Sequence, residues 1–518
     1  MKRVLIFFLA LVMLIGVLAA CGPKQNGPEE RKPVEQDTSA DQYLPKADYS
    51  GKTYTVLYRQ GQFYEEEWIS DDSRHGDVIN DAIAQRNQAV IDRYGVKLDY
   101  ETGKTSTDFE NVFWPKVLNN VEDDTFQLIA GQTYRLATVS VQGYCLNWLN
   151  EDQVPEVDTT AEWWDGDFIQ AAKYNNCTYI ATGPLSLTDM HSSACMYFNK
   201  TLFNAFMSGK SMSDGYDTPT AALFDLVRNG GWTLDKLIEF AKDCTDKIEG
   251  AEDDEDAVYG LATNQNNQID AYIYASGITM TERKNGTIQL KKVDNSNPIL
   301  ALAQKLQDFH QSSGNVVMFP SGVNPERVYK FVTGNAVFCT GVLDSARTIQ
   351  IYAPEMLYGV IPYPKYDETQ KEYHTYKIDY KTGFCIPRAV YKHGNQEFVG
   401  TITEALAYYS NKFVKPALYE KVLTHKNVQD KDSSDCVTMI LNGGLYEFAN
   451  IYAFAWGDQQ SPAHLLRYIV QNKGSDFSTE YRNKYLNGNG PYQKSLDKLL
   501  KDFRSDDVSA DDNAPAAD

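Results

Sequence analysis

The feature that most limits how this chain can fold is an alternation of strand-like and helix-like segments in its first quarter. Thr53–Tyr58 is rich in aromatic and β-branched residues, which favours a strand. Residues 77–94 carry apolar side chains at helical spacing until Gly95, and Val96–Tyr100 then alternates as a second strand. A further helix and strand follow over residues 109–130. Strands separated by helices predict a largely parallel sheet covered by helices.

The rest of the chain continues in the same mixed style. Residues 178–182 and 358–361 are strand-like, residues 298–311 are helix-like, and the last third is mainly helical in pattern. At 518 residues the chain exceeds the size that one hydrophobic core usually serves, which favours two lobes.

The N-terminus has the order of a secretory signal. Two cations, Lys2 and Arg3, precede an uninterrupted apolar run from Val4 to Ala20, and we therefore assign residues 1–20 to a signal peptide. A membrane-spanning helix is the alternative, because roughly 20 apolar residues are enough to cross a bilayer. No later stretch has such an apolar run, so only this end is expected to meet the membrane.

The residues that follow predict a tether. Leu18-Ala19-Ala20-Cys21 resembles a bacterial lipobox, which implies cleavage before Cys21 and lipidation of its sulfur. A cysteine that follows an ordinary signal peptide by coincidence is the alternative. Residues 21–48 are rich in Pro, Gly and charged residues, which predicts a flexible tether, and residues 505–518 predict a disordered acidic tail.

Composition excludes several classes of function. The formal net charge of −21 argues against nucleic acid as a partner, because nucleic acids select basic patches. The seven cysteines other than Cys21 are widely spaced, and we predict most of them to be small buried hydrophobic side chains. The His residues show no metal-ligand spacing, and no G-x-S-x-G, H-E-x-x-H or Rossmann motif occurs. We expect no metal, no cofactor and no catalytic residue.

Five short patterns occur in order along the mature chain. They are Gly76–Ile83 with Arg86-Asn87, Trp163-Trp164-Asp165, Phe198-Asn199-Lys200, Leu226–Asp235 and Ile361–Asp367. Together they are similar to extracellular solute-binding lipoproteins of carbohydrate ABC importers, in particular the long forms of Gram-positive anaerobes. The resemblance runs from about residue 53 to residue 450 and so covers most of the mature chain.

This resemblance implies a type II periplasmic-binding-protein-like fold, which is an α/β fold of two lobes that close on a ligand in the cleft between them. We place residues 49–160 and 318–372 in lobe 1, and residues 161–317 and 373–504 in lobe 2. The resemblance also implies a non-catalytic protein that captures a sugar or oligosaccharide for an ABC permease. Such a protein is expected to be a monomer, lipid-anchored on the extracytoplasmic face of the cell membrane.

Candidate ligand residues follow from what a sugar needs and from position. A sugar has an apolar C–H face and a rim of hydroxyls, which suit aromatic platforms and fixed polar groups. Polar candidates lie beyond predicted strands, because α/β sheets place ligands at the carboxyl ends of their strands. The ligand-binding candidates are Glu66, Trp68, Trp164, Asp189, Trp232, Asp344, Arg347 and Trp456. We expect Trp68 to face the cleft, whereas Trp232 directly precedes a helix cap and also suits a core position. His191 lies near Asp189, and both follow the predicted strand over residues 178–182.

Two alternatives remain open from the sequence. One is a binding protein for another solute, such as a peptide. The other is an exported hydrolase or adhesin that acts on glycans. With 70 acidic residues in the chain, carboxylate pairs at glycosidase spacing occur by chance and cannot discriminate between these classes.

Overall fold

The computed structural model describes residues 38–102, 112–119, 122–247, 256–294, 297–311, 313–320, 324–378, 381–423, 431–457, 460–485 and 490–503. The predicted signal peptide, Cys21 and the acidic tail lie outside the described residues.

The described residues contain both strands and helices throughout. The strands are β1 (Thr53–Tyr58), β2 (Lys97–Thr102), β3 (Leu128–Gln132), β4 (Ala194–Asn199), β5 (Tyr259–Asn264), β6 (Thr281–Lys284), β7 (Thr287–Leu290), β8 (Val316–Phe319), β9 (Ala336–Val342), β10 (Tyr358–Ile361), β11 (Thr375–Tyr376), β12 (Thr382–Cys385) and β13 (Gly444–Leu445). The helices are α1 (Gln62–Glu65), α2 (Val78–Tyr94), α3 (Trp114–Leu118), α4 (Thr133–Ser140), α5 (Gly166–Ala172), α6 (Leu187–His191), α7 (Lys200–Met207), α8 (Pro219–Arg228), α9 (Leu234–Asp243), α10 (Asn267–Ala275), α11 (Pro298–Gln311), α12 (Asn324–Val332), α13 (Ser345–Tyr352), α14 (Arg388–Lys392), α15 (Gln396–Tyr409), α16 (Lys415–Leu423), α17 (Lys431–Asn442), α18 (Phe448–Ile451), α19 (Leu465–Gln471), α20 (Phe477–Tyr485) and α21 (Pro491–Asp502).

Helix α2 shows how local sequence sets the ends of an element. The Asp77 carboxylate accepts hydrogen bonds from the backbone N–H groups of Ile79 and Asn80, which satisfies donors that have no partner within the helix. At the other end, Gly95 takes the left-handed conformation with φ of 66°, which a residue with a side chain adopts at a cost. The predicted helix over residues 77–94 is therefore confirmed, with Asp77 as its cap.

The first sheet has the strand order β12-β3-β1-β2. Strand β1 pairs in parallel with β2 and β3, as the alternation of strands and helices predicts. Strand β12 comes from much later in the chain and pairs antiparallel with β3.

The second sheet has the strand order β10-β4-β9-β5-β8. Strand β5 pairs in parallel with β8 and β9, whereas β4 pairs antiparallel with β9 and β10. The predicted strand over residues 178–182 is wrong, because that segment makes only one isolated bridge, between Ala181 and Phe384.

The strand pairing does not follow the boundaries that we predicted for the two lobes. Strands β9 and β10 lie within residues 318–372, which we placed with β1, but they pair with β4 and β5 in the second sheet. Strand β12 lies within residues 373–504, which we placed with β4, but it pairs with β3 in the first sheet. The chain therefore returns to the first sheet only after β10. Backbone pairing between distant segments decides this assignment, and sequence position cannot show it.

The tether ends earlier than its composition predicts. Residues 38–42 form a 3₁₀ helix, and Ala40 and Leu44 are buried. The Tyr43 ring packs against Trp163, with ring centroids 5.5 Å apart. Asp41 pairs with Arg93 of α2 at 3.0 Å. Few apolar residues are present here, but the body of the protein supplies the surface that buries them, so the predicted tether over residues 21–48 is shorter by at least its last eleven residues.

The prediction that most cysteines other than Cys21 are buried is confirmed. Seven cysteines lie in the interior and form no disulfide: Cys145, Cys177, Cys195, Cys244, Cys339, Cys385 and Cys436. Burial raises the pKa of Cys339 to about 11, which keeps its thiol protonated and unreactive at neutral pH.

None of the helices in the described ranges combines the length and apolarity that a bilayer crossing needs. The same residues contain no group of three or more His, Cys, Asp or Glu side chains that could hold a metal ion.

Candidate functional site

Two cavities lie where segments attached to the first sheet meet segments attached to the second. The first, named the Trp164 cavity, has a volume of about 300 Å³, and its lining includes Trp164, Asp165, Asp189, Lys377, Tyr419 and Asn442. The second, named the His191 cavity, has a volume of about 280 Å³, and its lining includes Glu66, Arg74, His191, Asp344, Arg347 and Lys421. Both volumes suit a ligand the size of one or two small rings.

The aromatic wall of the Trp164 cavity is held from behind by one buried carboxylate. The indole N–H groups of Trp163 and Trp164 donate to the two oxygens of Glu404 on α15, at 2.7 and 2.8 Å. Trp148 packs edge-on against Trp164, with ring centroids 5.3 Å apart. Burial raises the pKa of Glu404 to about 7. Each indole therefore has a fixed orientation, and Trp164, which is 4% exposed, is the one of the two that lines the cavity.

A buried charge cluster forms the polar floor of this cavity. Asp189 of α6 lies 3.0 Å from the Nζ of Lys381 and 3.5 Å from the Nζ of Lys377. Burial alone would raise the pKa of Asp189, but the charges of the two lysines outweigh it and hold the pKa below its ordinary value. Burial lowers the pKa of Lys381, against the opposing effect of Asp189.

Asp165 is a second carboxylate in the polar floor of the Trp164 cavity. The Tyr446 hydroxyl donates to Asp165, and burial followed by the charge of Asp189 raises the pKa of Asp165. The Nζ of Lys381 lies 4.1 Å from the centre of the Tyr446 ring, which adds a cation–π contact. The cluster holds fixed acceptors and donors close to an aromatic surface.

The His191 cavity has a different character, because no aromatic platform lines it and its charged groups are paired. The Arg74 guanidinium donates to Glu66 at 2.8 Å, and the Lys421 ammonium donates to Asp77 at 2.8 Å. The guanidinium of Arg347 lies 3.6 Å from Glu66 and 3.5 Å from Asp344. Glu66 belongs to the segment between β1 and α2, whereas Arg347 follows β9, so this pair joins segments from the two sheets.

Glu67 links the same regions beneath the cavities. Its carboxylate accepts hydrogen bonds from the backbone N–H and hydroxyl of Thr188 at 2.8 and 2.7 Å, and from the Thr382 hydroxyl at 2.7 Å. Burial raises the pKa of Glu67 to about 7. One side chain thus ties the segment after β1 to α6 and to the start of β12.

Five of the eight ligand-binding candidates lie at a cavity. Trp164 and Asp189 line the Trp164 cavity, and Glu66, Asp344 and Arg347 line the His191 cavity. For Glu66, Asp344 and Arg347, the position just beyond β1 or β9 indicated the place at the strand ends, whereas the strand predicted before Asp189 does not form. Whether these residues contact a ligand remains a prediction.

The other three candidates are buried tryptophans of the core. Trp68 has no exposed surface and packs edge-on against Phe384, so the prediction that it faces the cleft is wrong. Trp232 is equally buried, and its indole N–H donates to the carbonyl of Pro362 at 2.9 Å. Trp456 donates to the carbonyl of Tyr492 on α21 at 3.0 Å. Each ring buries a large apolar area in the core, and none of the three lines the Trp164 cavity or the His191 cavity.

Sequence reasoning missed Asp165, Lys377, Tyr419 and Asn442 as cavity residues. Asp165 directly follows Trp164, so it could have been added from its neighbour. Lys377, Tyr419 and Asn442 stand in segments with no strand-end signal, and only the folded chain brings them to the cavity.

No family model and no curated protein sequence matches this chain. Several solved structures are similar to it. The GacH receptor of Streptomyces glaucescens, determined unliganded and in complex with acarbose, is 13% identical with a TM-score of 0.52, over 88% of this chain and 100% of that one. A cyclo/maltodextrin-binding protein complexed with maltotetraose is 14% identical with a TM-score of 0.50, over 88% of this chain and 98% of that one. At such identities the likeness shows the fold: the chain has the two-lobed α/β fold of type II periplasmic-binding-protein-like solute-binding proteins.

Proposed function

We propose that this protein is a non-catalytic receptor that captures a sugar or oligosaccharide and delivers it to an ABC importer. The observation that carries the proposal is the Trp164 cavity, in which an oriented indole lies beside fixed carboxylate, ammonium and amide groups. Such a combination suits the apolar face and the hydroxyl rim of a sugar ring. The two similar structures were determined in complex with acarbose and with maltotetraose, which supports the choice of a saccharide.

The proposal includes the place of the protein in the cell. The apolar run before Cys21 supports export, and the Leu18–Cys21 pattern supports a lipid anchor on the extracytoplasmic face of the membrane, as in Gram-positive anaerobes. An anchored receptor stays close to its permease, the partner that the proposed import requires. We propose that it acts as a monomer and that its partners exclude nucleic acid, in keeping with its net charge of −21.

A thermal unfolding assay with a panel of saccharides tests the function. The mature chain is heated alone and with neutral monosaccharides, maltotetraose or acarbose, and we expect at least one saccharide to raise the melting temperature. A ligand at 100 times its dissociation constant stabilises the folded state by about 2.7 kcal/mol, because it binds only that state.

The matched variants are Tyr419→Ala, at the Trp164 cavity, and Tyr391→Ala, an exposed tyrosine on α14. Tyr419→Ala should weaken the stabilisation by the saccharide, and Tyr391→Ala should leave it unchanged. The proposal fails if no saccharide shifts the melting temperature, or if the protein cleaves a glycan from the panel.

A further inference from the structure

The His191 cavity is separate from the Trp164 cavity, although the two share their supporting helices. On α6, Asp189 lines the Trp164 cavity and His191 lines the other, and these positions are about 200° apart around a helix. On α16, Lys415 and Tyr419 line the first cavity, whereas Leu418 and Lys421 line the second. The ridge between the cavities is solid, because Leu187, Met190, Ala417 and Leu418 are buried together in one hydrophobic cluster.

The charges around the His191 cavity balance. Its lining has three cations, Arg74, Arg347 and Lys421, and three carboxylates, Glu66, Asp77 and Asp344. Each carboxylate has a cationic neighbour within 3.6 Å. A charged ligand would leave an uncompensated charge in a partly buried space, which is costly. The lining therefore favours an uncharged ligand with groups that both donate and accept hydrogen bonds.

One buried atom of a side chain in this lining has no hydrogen-bond partner among the described residues. Nδ1 of His191 makes no hydrogen bond, and His191, which lines the cavity, is only 8% exposed. Its nearest charged neighbour, Asp344, is 3.9 Å away, which is too far for a hydrogen bond. Buried polar atoms almost always have a partner, so the unpaired Nδ1 of a side chain that lines a cavity leaves a hydrogen bond for a ligand group or water to make.

We propose that the His191 cavity is a second ligand site, which takes one uncharged polyhydroxyl ring independently of the Trp164 cavity. A hydroxyl group pairs with the His191 ring nitrogen, and neighbouring hydroxyls bridge the carboxylates and guanidinium groups of the ion pairs. The cavity volume of about 280 Å³ accommodates one such ring. The proposed function supplies the class of ligand, whereas the location rests on the His191 cavity alone.

Equilibrium dialysis of the mature chain against radiolabelled glucose, galactose and mannose, and against glucuronate and galacturonate, tests the proposal. At saturation we expect two neutral sugars per wild-type chain and weaker binding of the uronates. Gln350→Trp adds bulk to the lining of the His191 cavity from an exposed position on α13, and His191→Phe replaces the ring nitrogens by carbon. Both should reduce the stoichiometry from two to one and leave the remaining dissociation constant unchanged.

The same variants separate this proposal from the proposed function. One sugar per wild-type chain, lost in Tyr419→Ala and retained in Gln350→Trp and His191→Phe, overturns the second site and supports the Trp164 cavity. One sugar that is lost in Gln350→Trp and His191→Phe, and retained in Tyr419→Ala, supports the His191 site and overturns the role of the Trp164 cavity. Uronates that bind the second site more tightly than neutral sugars overturn the argument from charge balance.

Discussion

At the scale of single residues, three buried carboxylates accept hydrogen bonds from segments far away in the chain, and one of them, Glu404, orients Trp164 at its cavity. Glu67, Glu404 and Glu447 are each at most 3% exposed, and burial raises the pKa of each to about 7. Each accepts several hydrogen bonds, which offsets part of the cost of removing a carboxylate from water. These groups set the geometry of their neighbours, so substituting them should disturb positions rather than remove contacts to a ligand.

Glu404→Gln should destabilise the protein most at low pH. The folded-state pKa of about 7 lies above the unfolded value of 4.5, so the folded state binds more protons between these two values. The stabilisation by Glu404 is therefore fully present below pH 4.5 and is lost as pH rises through 7, a change of up to about 3 kcal/mol. Glutamine does not titrate, and it leaves one indole N–H opposite an amide donor. Urea unfolding at pH 5 and pH 8 measures the difference in free energy of unfolding between the wild type and Glu404→Gln.

The control for this prediction is Glu239→Gln, which changes an exposed glutamate on α9 that pairs with Lys236. The free energy of unfolding of this variant should differ little from that of the wild type at both pH values, because exposed ion pairs contribute at most about 1 kcal/mol. If the difference in free energy of unfolding between the wild type and Glu404→Gln were the same at pH 5 and pH 8, that result would contradict a raised pKa for Glu404.

At the scale of elements, α2 and α16 are coupled through one side chain. Asp77 caps the first turn of α2 with one oxygen and accepts from Lys421 of α16 with the other, at 2.8 Å. Ile79 and Ile83 of α2 and Leu418 of α16 also belong to the same hydrophobic cluster as β4 and β9. The two helices therefore connect the first sheet to the core of the second, close to the His191 cavity.

Asp77→Ala should lower the free energy of unfolding by about 1–2 kcal/mol. An N-cap contributes about 0.5–2 kcal/mol, and the partly exposed pair with Lys421 adds at most about 1 kcal/mol. Asp92→Ala is the matched control, because Asp92 is on the same helix but is not a cap. Chemical denaturation followed by circular dichroism compares the two variants, and equal effects would show that Asp77 does not cap α2.

At the scale of the whole molecule, the described structure begins at Thr38, and 16 residues, 22–37, lie between it and Cys21 in the sequence. Even fully extended, a linker of this length reaches no more than roughly 60 Å. An anchored receptor would therefore stay within about one protein diameter of the membrane, as delivery to a permease requires.

Cys21→Ser should release the protein from the membrane without changing its fold. The proposed lipid is attached to the Cys21 sulfur, and lipid chains provide the membrane affinity at about 0.8 kcal/mol per buried methylene. In a Gram-positive host, the wild type should incorporate labelled palmitate and fractionate with membranes, while Cys21→Ser should do neither. Cys145→Ser, which changes a buried thiol, is the control and should retain the label. Membrane retention of Cys21→Ser would favour an uncleaved membrane helix over a lipid anchor.

What could be predicted depends on the range of the interaction. Strand Thr53–Tyr58, helix Pro298–Gln311 and strand Tyr358–Ile361 agree with the sequence predictions to the residue, because periodicity and flanking residues are local signals. The pairing of β12 is not a local signal, because its partner β3 lies about 250 residues earlier. Asp344 was identified from its position beyond a strand, whereas Lys377 and Asn442 had no comparable signal.

The alternation of strands and helices, and with it the α/β class of fold, can be read from the sequence, because hydrophobic periodicity records which face of each element is buried. The membership of the sheets, the burial of Ala40 and Leu44 and the place of each tryptophan depend on contacts between distant segments. Trp68, Trp164, Trp232 and Trp456 are chemically identical, and only Trp164 lines a described cavity. Its position follows from Trp148, 16 residues earlier, and from Glu404, 240 residues later, because tertiary contacts decide which aromatic ring fills the core and which reaches a cavity.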